Sequence, residues 1–358
     1  MRRIVNLILN IGILELFSIF FIYINVSTFL LYAVDKRKAV KNKLSKNKYR
    51  NNKWRISEST LIFLMLALGG IGALFGMLLF RHKTRKLKFK IVAGLGFVIA
   101  ISAIIHVVHS FTLDRIIKYE EIDFQTDAWP AELDGYRIAF MTDFHTITDE
   151  DMAEIIVEIN RRNIDLLLLG GDFSSDVFRG GTHYQGTVRE ISRAVTTDGI
   201  FGVDGNHDDA VMLFRAKERY GIVPLDNSGL QIREGFYLAG VQDMVLRNSD
   251  IATAIAGAAV DDFVILVSHN PDVTMAQSTD GVDLIFTGHS HGGQMTFFGF
   301  PIYLLRGDVT AYRLRFAHGF AYSADDVPVF TSRGVGVYYR WPRIFARPEV
   351  VIFTMYSE

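Results

Sequence analysis

The chain has 358 residues, a mean hydropathy of +0.21, no cysteine and a formal net charge of −1. The lack of thiols excludes disulfides and thiolate metal sites, so a transition-metal centre must be built from His, Asp, Glu or Asn. The near-zero charge hides a split: residues 1–110 carry 18 Lys/Arg and 3 Asp/Glu, the remainder 20 and 36, which marks a domain boundary and argues against nucleic acid as a partner of the acidic part.

Three apolar runs come first, Leu16 to Val34, Leu61 to Phe80 and Ile91 to Val108. Each is near the ~20 residues needed to cross a hydrocarbon core. They predict an uncleaved, multi-pass anchor in the cell membrane, because the first run is too long for a signal peptide. Asp35 to Ser57 holds ten Lys/Arg and should lie in the cytoplasm by the positive-inside rule. Three full crossings then place the soluble half in the cytoplasm too, the arrangement this count favours. Against it stand six more basic residues in Arg81 to Lys90, and Gly69, Gly70, Gly72 and Gly76 inside the second run. A re-entrant second run would put both basic loops inside and the soluble half outside. Arg81, His82 and Lys83 read as headgroup contacts.

From Gly135 onward, short apolar runs end in polar clusters. Arg137 to Thr142 stops at Asp143–Phe144–His145; Leu166 to Leu169 at Gly170–Gly171–Asp172; Ile200 to Val203 at Asp204–Gly205–Asn206–His207–Asp208. Phe263 to Val267 stops at Ser268–His269, and Leu284 to Thr287 at Gly288–His289–Ser290–His291–Gly292–Gly293–Gln294. Between the first two, Thr148 and Asp151 form a capping box before Met152, Ile155, Ile156 and Ile159 at helical spacing. Val350 to Met355 reads as a closing strand. In open α/β sheets, strand C-terminal ends converge on one crevice, so clusters about 150 residues apart should meet. Asp143 with His145, and His289 with His291, are two apart and in an extended segment would point to one side. Carboxylates, imidazoles and an amide oxygen suit Mn, Fe, Zn or Mg.

Taken in order, these clusters resemble the signature blocks of the calcineurin-like metallophosphoesterases over about residues 135–355. The resemblance implies an α/β sandwich of two mixed β-sheets flanked by helices, preceded by an all-α transmembrane domain of about three helices. The expected division is 1–112 for the transmembrane domain with its basic loops, 113–134 for a linker with a first strand, and 135–358 for the phosphoesterase. It also implies two divalent metal ions, with Mn favoured. Asp143, His145, Asp172 and His291 would hold one, and Asp172, Asn206, His269 and His289 the other. A metal-bridging hydroxide would attack phosphorus, with His207 as general acid. The family's phosphatases often carry an Asp three residues after the bridging Asp; here that position is Ser175, and Asp176 follows as the candidate to orient His207.

The tail from Thr331 to Gly336 with Arg347–Pro348–Glu349 is similar to a membrane-associated branch that includes UDP-2,3-diacylglucosamine pyrophosphatase-like enzymes. There Arg333 and Arg343 would bind a second phosphate, with structural ion pairing as the alternative for each. Phe178 to Thr187 and Phe297 to Phe320 are the insertions expected to shape a substrate pocket. The helical half, through Asp35–Lys36–Arg37, Arg55 to Glu58 and Arg81 to Thr84, resembles a small bacterial membrane-protein family of unknown function. The combined reading is a membrane-anchored hydrolase of a phosphodiester or pyrophosphate bond in a lipid-linked substrate. The alternatives are an enzyme for soluble phosphoesters and a non-catalytic metal-binding sensor or scaffold. Nothing in the sequence signals the oligomeric state.

Overall fold

The computed structural model describes residues 13–44, 55–174, 184–208, 219–245, 247–338 and 342–358. The chain separates into two units, Met1–Val108 and His109–Glu358.

In the first unit the apolar runs form α1 (Ile13–Leu44), α2 (Glu58–Leu64), α3 (Gly70–Leu79) and α4 (Leu87–Phe111). By length and composition, Glu15–Lys43, Glu58–Leu79 and Leu87–Arg115 each suffice to span a membrane. The middle one is not straight. Ala67 (φ −83°, ψ 45°) and Leu68 (φ 68°, ψ 0°) break the helix, and α3 returns toward the start of α2. A straight helix over Glu58–Leu79 would part its ends by about 30 Å. Instead Glu58, at its start, is ion-paired with Lys83 (3.0 Å), Lys86 and Lys88 (2.8 Å), all beyond its end. Arg55 and His82 likewise converge on buried Asp35. The two basic segments therefore share one end of the unit.

A broken helix frees backbone groups that lipid cannot satisfy. Asn25, on α1, takes them up: its amide nitrogen donates to Leu68 O (3.0 Å), and its oxygen accepts from Gly72 N (2.8 Å). A Cβ on Gly72 would lie 2.0 Å from Asn25 O, so only glycine permits this approach. Asn25 precedes Asp35 by ten residues, about 15 Å along a helix. The turn thus lies roughly half a ~30 Å hydrocarbon core from the basic end.

The second unit stacks two sheets between helices. One sheet runs β1 (Lys118–Gln125), β12 (Glu349–Tyr356), β2 (Tyr136–Met141), β3 (Leu166–Leu169), β4 (Gly199–Gly202) and β5 (Ile222–Pro224). The other runs β10 (Gly319–Tyr322), β11 (Pro328–Thr331), β9 (Leu284–Thr287), β8 (Phe263–Val267), β7 (Phe236–Gly240) and β6 (Ser228–Arg233). β12 is antiparallel to β2 and parallel to β1, and β10 and β6 are the antiparallel edges of the second sheet, so both sheets are mixed.

Period-two alternation explains the layering. Ile138, Phe140, Leu166, Leu168 and Phe201 of the first sheet meet Phe236, Leu238, Ile265 and Phe286 of the second in an inner core. Ala139, Met141, Leu167 and Leu169 face outward, onto Met152, Ile155, Ile156 and Ile159 of α5 (Asp149–Asn160) and onto Val188 and Ile191 of α6 (Tyr184–Ile191). Strands buried on both faces read as continuous apolar runs, which is why these were visible in the sequence. Thr148 caps α5 by accepting from Asp151 N (3.0 Å). The fold places the site through register. β2, β3 and β4 are parallel, with Met141 opposite Leu169 and Leu169 opposite Gly202. β8 and β9 are also parallel. Their C-terminal ends form one rim.

Candidate metal centre

Every polar cluster lies on a loop just past that rim. Asp143 and His145 follow β2, Asp172 follows β3, Asn206 and His207 follow β4, His269 follows β8, and His289 and His291 follow β9. Asp143 with His145, and His289 with His291, do not lie on extended backbone as expected. Asp143 (φ 57°), His145 (φ 40°), Asp172 (φ 58°), His289 (φ 68°) and His291 (φ 53°) are all left-handed. Non-glycine residues there cost about 1 kcal/mol or more each and gather at functional sites. Alternation of left- and right-handed residues, with Ser290 at φ −76°, brings His289 and His291 into one place.

The structure gathers these side chains into two overlapping sets. Asp143, His145, Asp172 and His291 each present a ligand atom, all within 4.8 Å of one another, and so do Asp172, His269 and His289. His145 Nε2 is 3.0 Å from His291 Nε2 and 3.4 Å from Asp172 Oδ2, and His291 Nε2 is 3.2 Å from Asp143 Oδ1. In the second set His269 Nε2 is 3.2 Å from Asp172 Oδ2, from Asn206 Oδ1 and from His289 Nδ1. Asp172 belongs to both.

Backbone carbonyls orient the rings. His145 Nδ1 donates to Ser174 O (3.1 Å), His269 Nδ1 to Gly170 O (2.8 Å) and His289 Nε2 to Val309 O (2.8 Å). Those bonds assign the tautomers and leave His145 Nε2, His269 Nε2 and His289 Nδ1 as lone pairs aimed inward, the usual arrangement of ligating imidazoles. Four potential ligand atoms, His269 Nε2, His289 Nδ1, Asp172 Oδ2 and Asn206 Oδ1, then face one another, and they gather only around positive charge, a proton on His269 or a cation in its place. The residues therefore fit divalent cations.

The titration behaviour has the same origin. Burial pushes His145 and His289 each down to about 4. Burial also disfavours charge on His269, but the carboxylates of Asp172 and Asp143 outweigh it and hold that imidazole up, at about 10. Burial raises Asp143 to about 7, with the Asp172 carboxylate adding to the shift. Asp172 resists the same burial, and the surrounding imidazoles hold it well below the usual carboxylate range.

His207 lines the same cleft without joining either set. Its backbone N–H donates to Asp172 Oδ1 (2.9 Å), and its ring lies 5.4 Å from that of His145. The cleft, about 510 Å³, is lined by Asn206, His207, His289, His291, Met295, Tyr303 and Tyr338 among others. Asp176 lies outside the described residues, as does most of the Phe178 to Thr187 insertion. The two arginines make structural contacts. Arg333 pairs with buried Glu349 at 3.1 Å. Arg343 is buried and donates to carbonyls of Gly336, Arg333, Gly334 and Ala346. With its N–H groups spent on a loop that wraps the site, Arg343 is a brace rather than an open phosphate ligand.

Three side chains act here to which the sequence assigns no role: Asp208, Arg247 and Tyr338. Asp208 Oδ2 accepts from Asp172 N (2.7 Å) and Gly205 N (2.9 Å), and its Oδ1 from Ser174 N (3.1 Å). Gly205 must be glycine, since a Cβ would sit 2.1 Å from Asp172 Oδ1. Arg247 pairs with Asp204 and donates to Asp208 O. The Tyr338 ring lies 5.1 Å from His207 and 5.3 Å from His145. Only Asp208 left a trace in the sequence, as the residue following His207. Asp208→Ala strands three buried N–H donors and should destabilise the second unit by about 3 kcal/mol. Chemical denaturation checks this; a loss under about 1 kcal/mol contradicts the bracing role.

Two family models match the chain. Residues 136–293 match "Calcineurin-like phosphoesterase" and residues 25–89 match "Protein of unknown function (DUF1294)". The chain is 26% identical over 258 residues to the uncharacterized metallophosphoesterase YkuE of Bacillus subtilis, covering 68% of this chain and 87% of that protein. An uncharacterized metallophosphoesterase of Campylobacter jejuni is 23% identical over 310 residues, covering 82% and 78%. One from Aquifex aeolicus is 24% identical over 253 residues, covering 67% and 92%. Residues 136–293 thus match a calcineurin-like phosphoesterase domain, and with its relatives and its convergent His/Asp sets this supports a phosphoester hydrolase using divalent metal; residues 25–89 match a family of unknown function.

Proposed function

We propose that the protein is a two-metal phosphoesterase of the cell membrane that hydrolyses a phosphodiester or pyrophosphate bond in an amphipathic, lipid-linked substrate. The observation that carries this reading is the sharing of Asp172 between two convergent donor sets. Asp143, His145, Asp172 and His291 hold one cation in this reading, and Asp172, Asn206, His269 and His289 the other, with manganese as the proposed occupant. Bound cations supply neutralisation of phosphoryl charge and a nucleophile at neutral pH. The chain's own residues do the rest. His207 delivers a proton to the departing oxygen. Asp208 and Arg343 hold the ligand loops. Tyr338 packs against His207 and limits its swing. The test of activity is hydrolysis of bis-p-nitrophenyl phosphate with manganese, abolished by chelation; no metal-dependent turnover on any diester contradicts it.

The lipid-linked part rests on the surface beside the cleft. Phe297, Phe298, Phe300, Ile302, Tyr303 and Leu305 are all exposed, with Phe297 53% accessible, and Tyr303 also lines the cleft. An acyl chain is the occupant that gains most from such a run. Phe298→Ser/Tyr303→Ser should lower kcat/KM on a detergent-dispersed acylated diester by about tenfold and leave bis-p-nitrophenyl phosphate unchanged. Equal effects on both substrates contradict the assignment.

For sidedness we adopt the second arrangement that charge counting left open. The folded-back α2–α3 pair starts and ends at the basic end, so α1 and α4 are the two crossings. With that end in the cytoplasm, the chain leaves α4 on the other side, and the phosphoesterase unit is extracytoplasmic. The chain has no cysteine, so single substitutions report sidedness cleanly. In intact cells an impermeant maleimide should label Glu132→Cys and spare Lys41→Cys until the membrane is opened. The reverse pattern places the phosphoesterase in the cytoplasm.

A further inference from the structure

The helical unit holds a second cavity, about 310 Å³, lined by Arg55, Glu58, His82, Arg81, Lys83, Arg85 and Lys86 among others. Its floor is anchored by carboxylates. Asp35 is fully buried and takes Arg55 at 3.2 Å, His82 Nε2 at 2.7 Å and Lys83 at 3.5 Å. Glu58 takes Lys83, Lys86 and Lys88. Lys83 is thereby held between the two acids with only 4% of its side chain exposed. These pairs use both carboxylates. Arg81 and Arg85 line the same cavity, are exposed, and have no ion-pair partner among the described residues. The cavity therefore carries excess positive charge over a fixed, buried floor. The backbone is committed to this shape as well: Arg81 (φ 44°) and Lys83 (φ 60°) are both left-handed without being glycine, a conformation kept where surroundings impose it.

Guanidinium groups without carboxylate partners, in a concave site, match the planar, multidentate geometry of phosphoryl oxygens. We propose that this cavity binds a phosphoryl group, carried by an anionic phospholipid headgroup or by free phosphate, at a site separate from the metal centre. The site goes beyond the hydrolytic reading and stands on residues of the helical unit alone.

The test uses the full chain, purified in nonionic detergent, and two probes. Phosphatidylglycerol and phosphatidylcholine at equal concentration are followed by native mass spectrometry. Inorganic phosphate is followed by its thermal shift against chloride at equal ionic strength. The variant is Arg81→Gln/Arg85→Gln, which leaves the Asp35 and Glu58 pairs intact. Lys41→Gln/Lys43→Gln removes the same charge outside the cavity. A headgroup site predicts preferential retention of phosphatidylglycerol, reduced about 25-fold in the arginine variant at about fivefold per charge, and kept in the lysine control. A free-phosphate site predicts a thermal shift lost in the arginine variant only, with lipid retention equal throughout. Phosphate at the metal centre contributes equally to all three proteins and cancels. Far-UV circular dichroism and a single elution peak in detergent, unchanged in both variants, confirm that they fold. If wild type and the arginine variant match in both probes, or the lysine control falls as far as the arginine variant, the proposal is overturned.

Discussion

Asp172→Asn should lower kcat on any phosphodiester by about 1000-fold, the scale of losing a preorganised electrostatic group, while leaving the fold in place. The substitution is isosteric. The backbone N–H of residue 172 still reaches Asp208, and the side-chain oxygen at Oδ1 still accepts from His207 N. What goes is the charge at Oδ2, 3.4 Å from His145 Nε2 and 3.2 Å from His269 Nε2. Among the described residues no other carboxylate belongs to both donor sets, so both should weaken together. Activity and metal content should fall in parallel, with the thermal transition retained. A variant that keeps more than about a tenth of wild-type kcat would show that Asp172 is not the shared ligand.

His207→Gln should separate protonation from metal holding. A general acid contributes about 100- to 10,000-fold when the departing oxygen is basic, and little when the leaving group is already a stable anion. The variant should therefore lose about 100-fold or more on an alkyl diester, and less than about tenfold on bis-p-nitrophenyl phosphate. Metal content should not change, because among the described residues His207 touches the cluster through its backbone N–H to Asp172 and its ring packing against His145. Equal losses on both substrates would assign His207 a structural task. Metal lost with the side chain would make it a ligand.

Much of the centre was legible because strands buried on both faces have a plain signature, and each ends where the chemistry begins. Leu166 to Leu169, Phe263 to Val267 and Leu284 to Thr287 appear in the fold with the bounds read from the sequence. β5, β6 and β10 carry no comparable signature. β5 has three residues and β10 four, and β6 and β10 are edge strands with only partial burial, so their patterns are short and weak. The left-handed backbone at Asp143, His145 and His289 had no signal at all, since such conformations are imposed by neighbours across the sheet. The bracing of Asp172 and Ser174 by Asp208 spans more than 30 residues and is invisible to spacing.

The helical unit shows the limit differently. Gly69, Gly70, Gly72 and Gly76 hinted at a break, but counting charges treats each loop alone. The meeting of Glu58 with Lys83, Lys86 and Lys88, and of Arg55 and His82 at Asp35, shows that the second apolar run folds back. Arg343 shows the same limit: its residue type suits a phosphate ligand and an internal brace equally, and it is the fold that sets its donors on the carbonyls of Gly336, Arg333 and Gly334.

The most direct test of the central claim is anomalous diffraction from crystals of the manganese-loaded protein. Two peaks about 3.5–4 Å apart, on either side of Asp172 Oδ2, are what the two donor sets require. A single peak away from Asp172, or none from a protein that holds no manganese in solution, would contradict it.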